Sequence, residues 1–157
     1  MKRRTFLLKS ASTAFGFQVV SSHVLRAAEG QNTPNNKIRI AAIGCGGRGG
    51  SDLGAMAGED IVALCDVDDR RAAGSFKKFP KAKRFKDFRK MYDAVGDQID
   101  AVLVATPDHT HAVAIMGAIG RGKHVYPEKP LAHSAFEVRT LRAAALQKKV
   151  ITQVRNH

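Results

Sequence analysis

The chain holds 157 residues, 44% of them hydrophobic and 25% charged, with a formal net charge of +12. That length suits one domain of ordinary size, and the composition excludes disordered, collagen-like and disulfide-framework classes. Five positive charges, Lys2, Arg3, Arg4, Lys9 and Arg26, fall in residues 1–28 with no acid among them, which leaves +7 for the remainder.

Residues 1–9 are cationic, residues 11–25 are weakly apolar and interrupted by Gly16, Gln18 and serines, and Ala27 and Ala28 follow. This pattern predicts an export signal over residues 1–28. Arg3-Arg4-Thr5-Phe6-Leu7 resembles the twin-arginine signal, whose pathway carries already folded proteins, so a periplasmic or other extracytoplasmic location is expected. The alternative is an uncleaved amphipathic anchor. Stable membrane insertion is not expected, because no later apolar run approaches the ~18 residues a spanning helix requires. Residues 29–36, with Gly30, Pro34 and several Asn, read as a linker.

From residue 37 strand and helix patterns alternate. The runs 37–43 (KIRIAAI), 61–65 (IVALC) and 101–105 (AVLVA) suit parallel strands covered on both faces. Weaker strands are predicted at 83–85, 124–126 and 150–154, and helices at 49–57, 68–79, 87–95, 108–119 and 134–148. Six strands joined by right-handed crossovers predict an α/β, doubly wound parallel sheet of order 3-2-1-4-5-6, the Rossmann arrangement, over residues 37–157.

The first strand runs into Gly44-Cys45-Gly46-Gly47-Arg48-Gly49, a full G-x-G-x-x-G where a helix starts. Gly44 permits the tight turn, Gly46 lets the backbone approach a pyrophosphate, and Gly49 allows close helix–strand packing. The helix N-terminus offers unpaired N–H groups to phosphates. Asp66 ends the second strand about 20 residues further on, where an acceptor for the adenosine ribose hydroxyls belongs. Its charge favours NAD over NADP. Arg70 and Arg71, one helical turn later, would be placed to receive a 2′-phosphate or else are solvated helix surface, so the cofactor is expected to be NAD or NADP.

Two further loops follow strand ends: Ala105-Thr106-Pro107-Asp108-His109-Thr110-His111 and Glu128-Lys129-Pro130-Leu131-Ala132. Open α/β sheets bind ligands at that edge. A lysine beside a nicotinamide donates a proton or steadies a developing alkoxide; from chemistry alone Lys129 is equally a surface lysine.

The ordered set AAIGCGGRG, CDVD, VATPDHTHA, EKPLA and ITQV resembles the Gfo/Idh/MocA oxidoreductases, the glucose-fructose oxidoreductase and inositol dehydrogenase family, across residues 37–157. The resemblance implies a dinucleotide-binding domain followed by a second α/β domain, acting on sugars, polyols or related carbonyl compounds. Carried onto matching positions, it implies that the loop from Gly44 through Gly49 holds the pyrophosphate and Asp66 the adenosine ribose. Thr106, Pro107 and His111 would border the nicotinamide half, Glu128 would support its ribose, and Lys129 would be catalytic. Arg155 departs from the family, which usually has a Gly before an Asn here. The second domain, with its further catalytic groups, is expected to be missing after His157, so turnover by this chain alone is not expected, and homo-oligomers only with that domain.

Other signals read as structural. His109 and His111, two apart on a helix, point to different sides and do not make a metal pair. Cys45 and Cys65 are expected to be reduced packing residues. Residues 77–90 (KKFPKAKRFKDFRK) carry eight basic residues and one acid. The expected arrangement turns Phe76, Phe79, Phe85 and Phe88 toward the sheet and leaves the lysines in solvent, so no nucleic-acid partner is expected. The leading reading is an NAD(P)-binding domain of an exported oxidoreductase with a small sugar or polyol substrate. The alternative is a dinucleotide-binding fragment or decayed gene product without catalysis.

Overall fold

In the computed structural model, which describes residues 37–155, the three apolar runs become strands at the centre of one sheet. The order along the chain is β1 Arg39–Ile43, α1 Gly47–Ala55, β2 Asp60–Cys65, α2 Asp69–Lys78, β3 Lys83–Phe85, α3 Phe88–Val95, β4 Ala101–Val104, α4 Asp108–Gly120, β5 His124–Pro127 and α5 Ala135–Lys148. A 3-10 turn, Gly96–Gln98, follows α3. All strand pairs are parallel and the sheet order is β3-β2-β1-β4-β5. The export signal and linker predicted for residues 1–36 lie outside the described residues.

Both faces of the sheet are buried, which explains strands apolar at every position rather than at alternate ones. Ala41, Ile43, Val102, Val104 and Val125 pack on one face against Met91, Ile115, Ile119 and Leu141 of α3, α4 and α5. Ile40, Ala42, Leu64 and Leu103 pack on the other face against Leu53, Ala72 and Phe76 of α1 and α2.

The sheet has five strands where the pattern predicts six. Residues 150–154 lie beside β5 through Val125 N–H to the Ile151 carbonyl and Gln153 N–H to the Val125 carbonyl, but form only a single bridge, at Thr152. Among the described residues no strand pairs with their outer edge, and Ile151, Thr152 and Gln153 are exposed. The β-branched character that predicts a strand therefore yields one bridge to β5 and no ladder.

Helix starts follow local chemistry. Asp68, Asp87 and Ser134, predicted as first helical residues, are instead the caps: each side chain accepts from backbone N–H groups of the first turn, and Ser134 with Glu137 closes a capping box. At the opposite end of the sheet Arg39 donates to both oxygens of Asp100, at 2.7 and 3.0 Å, and ties the starts of β1 and β4 together. These bonds hold the Asp100 carboxyl below its ordinary range.

In the basic stretch Phe76 is buried, and Phe79, Phe85 and Phe88 are partly buried against the two cores. Arg84 lies 4.8 Å over the Phe76 ring and Arg89 5.5 Å over that of Phe88. The cations cover the outer edges of rings whose bodies belong to the core.

Candidate functional site: the carboxyl edge of the sheet

The glycine loop leaves β1 in a left-handed turn. Gly44 has φ +84°, and its N–H donates to the Cys65 carbonyl at 2.8 Å. A Cβ there would stand 2.5 Å from the Ala105 carbonyl oxygen, so the loop after β1 rests directly on the loop after β4. At Gly49 a Cβ would come within 2.1 Å of the Gly44 carbonyl oxygen, in line with the close packing predicted for that position. At Gly46 it would meet the Arg71 carbonyl oxygen at 2.9 Å. The backbone of α2 already demands a glycine there, which adds a reason to the approach of a pyrophosphate. Gly47 and Arg48 are exposed at the rim, and the first turn of α1 carries no acid.

Asp66 closes this loop. Its Oδ2 accepts from Cys45 N–H at 2.7 Å and Gly46 N–H at 3.2 Å, and its Oδ1 from Asp68 N–H at 2.9 Å. An ionised carboxylate offers about four acceptor sites, so roughly one remains for a hydroxyl. Cys45 enters the loop through its backbone alone. Its side chain is buried, with Sγ 3.6 Å from the Ala42 and 3.5 Å from the Cys65 carbonyl oxygen. Burial pushes the Cys45 thiol up to about 12, helped by the Asp66 charge, and burial pushes Cys65 equally high. Both cysteines are free. Ser75, which sequence reasoning missed, donates from Oγ to the Cys45 carbonyl at 2.6 Å and anchors the loop to α2. Arg70 and Arg71 are exposed and spend their backbone N–H groups on the Asp68 cap.

The second pair of loops stands beside the first. Pro107 is the exposed N-cap of α4. Among the described residues Thr106 Oγ1 is buried without a hydrogen-bond partner. His111 is 1% exposed, with Nδ1 2.6 Å from the Pro130 carbonyl oxygen and Nε2 2.7 Å from that of Thr106. A neutral ring donates to one of these carbonyls and an imidazolium to both. His111 thus sits between the loop after β4 and the loop after β5, and its ring faces backbone rather than the open edge. Its helical spacing with Ala114, Ile115 and Ala118, all buried, carries that signal in the sequence.

Glu128 donates its N–H to the Val104 carbonyl at 2.8 Å and is buried, whereas Lys129 is exposed. The Glu128 carboxylate accepts from Arg155 Nη1 at 3.2 Å, and the same guanidinium nitrogen pairs with Asp52 of α1. Neither Asp52 nor Arg155 was expected at the site. All the predicted residues thus line the carboxyl ends of β1, β2, β4 and β5, and none of them lines the groove of about 400 Å³ between α4 and α5. The residues present fit a dinucleotide. An acid-free helix N-terminus at a glycine turn suits a pyrophosphate, Asp66 keeps acceptor capacity for a ribose, and the orphaned Thr106 hydroxyl awaits a polar partner.

Comparison with known proteins agrees with this geometry. The model of an oxidoreductase family with an NAD-binding Rossmann fold matches residues 38–156. An inositol 2-dehydrogenase of Rubrobacter xylanophilus is 33% identical over 118 residues, which cover 72% of this chain and 33% of the relative. A glycosyl hydrolase family 109 protein of Solibacter usitatus is 36% identical over 116 residues, covering 66% and 26%. Among solved structures, an NAD binding oxidoreductase from Klebsiella pneumoniae superposes with a TM-score of 0.67 at 30% identity, over 76% of this chain and 34% of that one. The chain spans about a third of the length of the curated relatives it matches. With the match running from the first strand to the segment beside β5, the chain belongs to the Gfo/Idh/MocA oxidoreductases, whose fold is an NAD-binding Rossmann fold.

Proposed function

We propose that the chain binds NAD(H) along the carboxyl edge of its sheet and forms the cofactor half of an oxidoreductase acting on a polyol, sugar or related carbonyl compound. The observation that carries this reading is Asp66 bonded to the glycine loop, with the loops after β4 and β5 alongside. A dinucleotide crosses doubly wound sheets at this switch in strand order. The names of the relatives, an inositol 2-dehydrogenase and an NAD binding oxidoreductase, support the same chemistry.

When bound, the nicotinamide supplies the site that gives or takes hydride. The loop from Gly44 to Gly49, with the N-terminus of α1, holds the pyrophosphate, and Asp66 accepts from the adenosine ribose. Its negative charge opposes a 2′-phosphate, which makes NAD the preferred cofactor, while Arg70 and Arg71 are the groups that would receive NADP. Thr106 and Pro107 border the nicotinamide half, Glu128 accepts from its ribose, and His111 acts by holding the two loops in register. Lys129 moves a proton to or from the substrate oxygen, or steadies negative charge on it. Substrate contacts and any homo-oligomer interface are assigned to a second domain. Residues 1–28, on the Arg3-Arg4 motif, direct export by the twin-arginine route.

Titration of the chain with NADH tests the cofactor reading. Asp66→Ala is expected to weaken NADH by about tenfold and NADPH by less, because it removes an acceptor and a repulsive charge together. Equal losses would overturn the Asp66 assignment. In a longer chain that turns over, Lys129→Ala is expected to lower kcat by ~10²-fold with cofactor affinity retained. An unchanged kcat would return Lys129 to the solvated surface.

A further inference from the structure

We propose that Arg155 is a positioning residue that clamps the Glu128–Lys129 loop to helix α1 and so sets its distance from the pyrophosphate site. The inference rests on the dinucleotide reading above. Arg155 Nη1 bonds Glu128 Oε1 at 3.2 Å and pairs with Asp52 Oδ1, with the side chains of Arg155, Asp52 and Glu128 18%, 4% and 10% exposed. The backbone N–H of Arg155 donates to the Pro127 carbonyl at 3.1 Å, which fixes the base of the side chain against the end of β5.

Two buried carboxylates converge on one guanidinium, and among the described residues Asp52 Oδ2 is buried without a hydrogen-bond partner. Without the cation the two anions would face each other in a dry site, so the arrangement depends on Arg155. Its ends are also informative. Asp52 lies on α1 three residues beyond Gly49, one turn into the helix whose start forms the phosphate loop, and Glu128 immediately precedes Lys129. The glycine loop itself is held by Asp66, Ser75 and the Cys65 carbonyl. The clamp therefore governs where the nicotinamide-side loop stands relative to the phosphate helix, and leaves the adenosine side set by other bonds.

A ligand that reaches across both parts should sense the clamp, and one confined to the adenosine and phosphate side should not. Calorimetric titration of the chain with NADH and with ADP makes that comparison. Arg155→Met is expected to weaken NADH about tenfold, the scale of one lost charge-assisted hydrogen bond, and ADP by less than about twofold. Arg155→Lys, which keeps the charge and loses the fork, is expected to recover part of the NADH affinity. If Arg155→Met does not fold, Asp52→Asn serves instead, since it weakens the anchor on α1 while keeping the guanidinium on Glu128, and the same NADH-selective loss is expected. Equal losses for both ligands would make Arg155 a general support of the fold, and no loss would make it irrelevant to the cofactor; either result overturns the clamp. If the unaltered chain binds neither ligand, the dinucleotide reading itself fails.

Discussion

Gly49→Ala isolates the tightest contact in the glycine loop. The added Cβ would stand 2.1 Å from the Gly44 carbonyl oxygen and 3.0 Å from the Ala105 Cβ. The first distance is about 1 Å inside the 3.0 Å that Cβ atoms keep from other heavy atoms, and it opposes backbone, which has no rotamer to turn away. Helix α1 would have to lift off the sheet by roughly that amount, loosening Leu53, which is fully buried beneath it. Overpacking of this kind costs ~1–3 kcal/mol, and a backbone–backbone clash belongs at the upper end. Gly74→Ala supplies the control. Gly74 is exposed in the middle of α2 and a Cβ there meets nothing within 4 Å, so the change should stabilise by ~0.4–1 kcal/mol through helix propensity and the unfolded chain. Urea unfolding followed by far-UV circular dichroism is the natural assay, because the chain has no tryptophan. A Gly49→Ala midpoint equal to that of the parent, or a Gly74→Ala midpoint below it, would refute the contact argument.

The thiols supply a pH test: with Cys45 and Cys65 pushed up to about 12 by burial, both should resist a disulfide reagent at pH 8 in the folded chain and react fully in denaturant. Rapid native labelling at either position would contradict the burial described. The export reading predicts that a reporter fused behind residues 1–36 leaves the cytoplasm, and that changing Arg3 and Arg4 together to Lys retains it there. Export of the double-Lys fusion would remove the twin-arginine assignment.

The parts of the edge that were legible in the sequence are those where a single residue type satisfies a local backbone demand. Gly44 and Gly49 are of this kind, since a positive φ and a 2.1 Å approach each leave no alternative to glycine. The position of Asp66 was equally legible from its place at a strand end. Its bonds to Cys45 and Gly46 were not, because they depend on the pairing of Ile43 with Cys65, a register no local pattern encodes. Arg155 was visible only as a departure from a family pattern; its partner Glu128 is 27 residues away and Asp52 farther still, so no spacing rule connects them. The sixth strand was overread for a related reason: Val150, Ile151 and Val154 have strand-forming side chains, but a ladder needs register against β5, and they make only one bridge to it. His111, expected to border the cofactor, shares the buried stripe of α4.

The seat made by His111 also limits how this edge of the sheet can be re-engineered. With one imidazole seated between the carbonyls of residues 106 and 130, the two loops pack as a single mechanical part despite the helix and strand between them in the chain. A chimera that imports residues 128–132 from a relative, with its junction inside α4 or β5, would preserve every strand pairing while parting the imported turn from the ring that seats it. The unit that can be transplanted whole therefore runs from the end of β4 to the start of α5, and a change of specificity sought in either loop alone inherits the posture of the other.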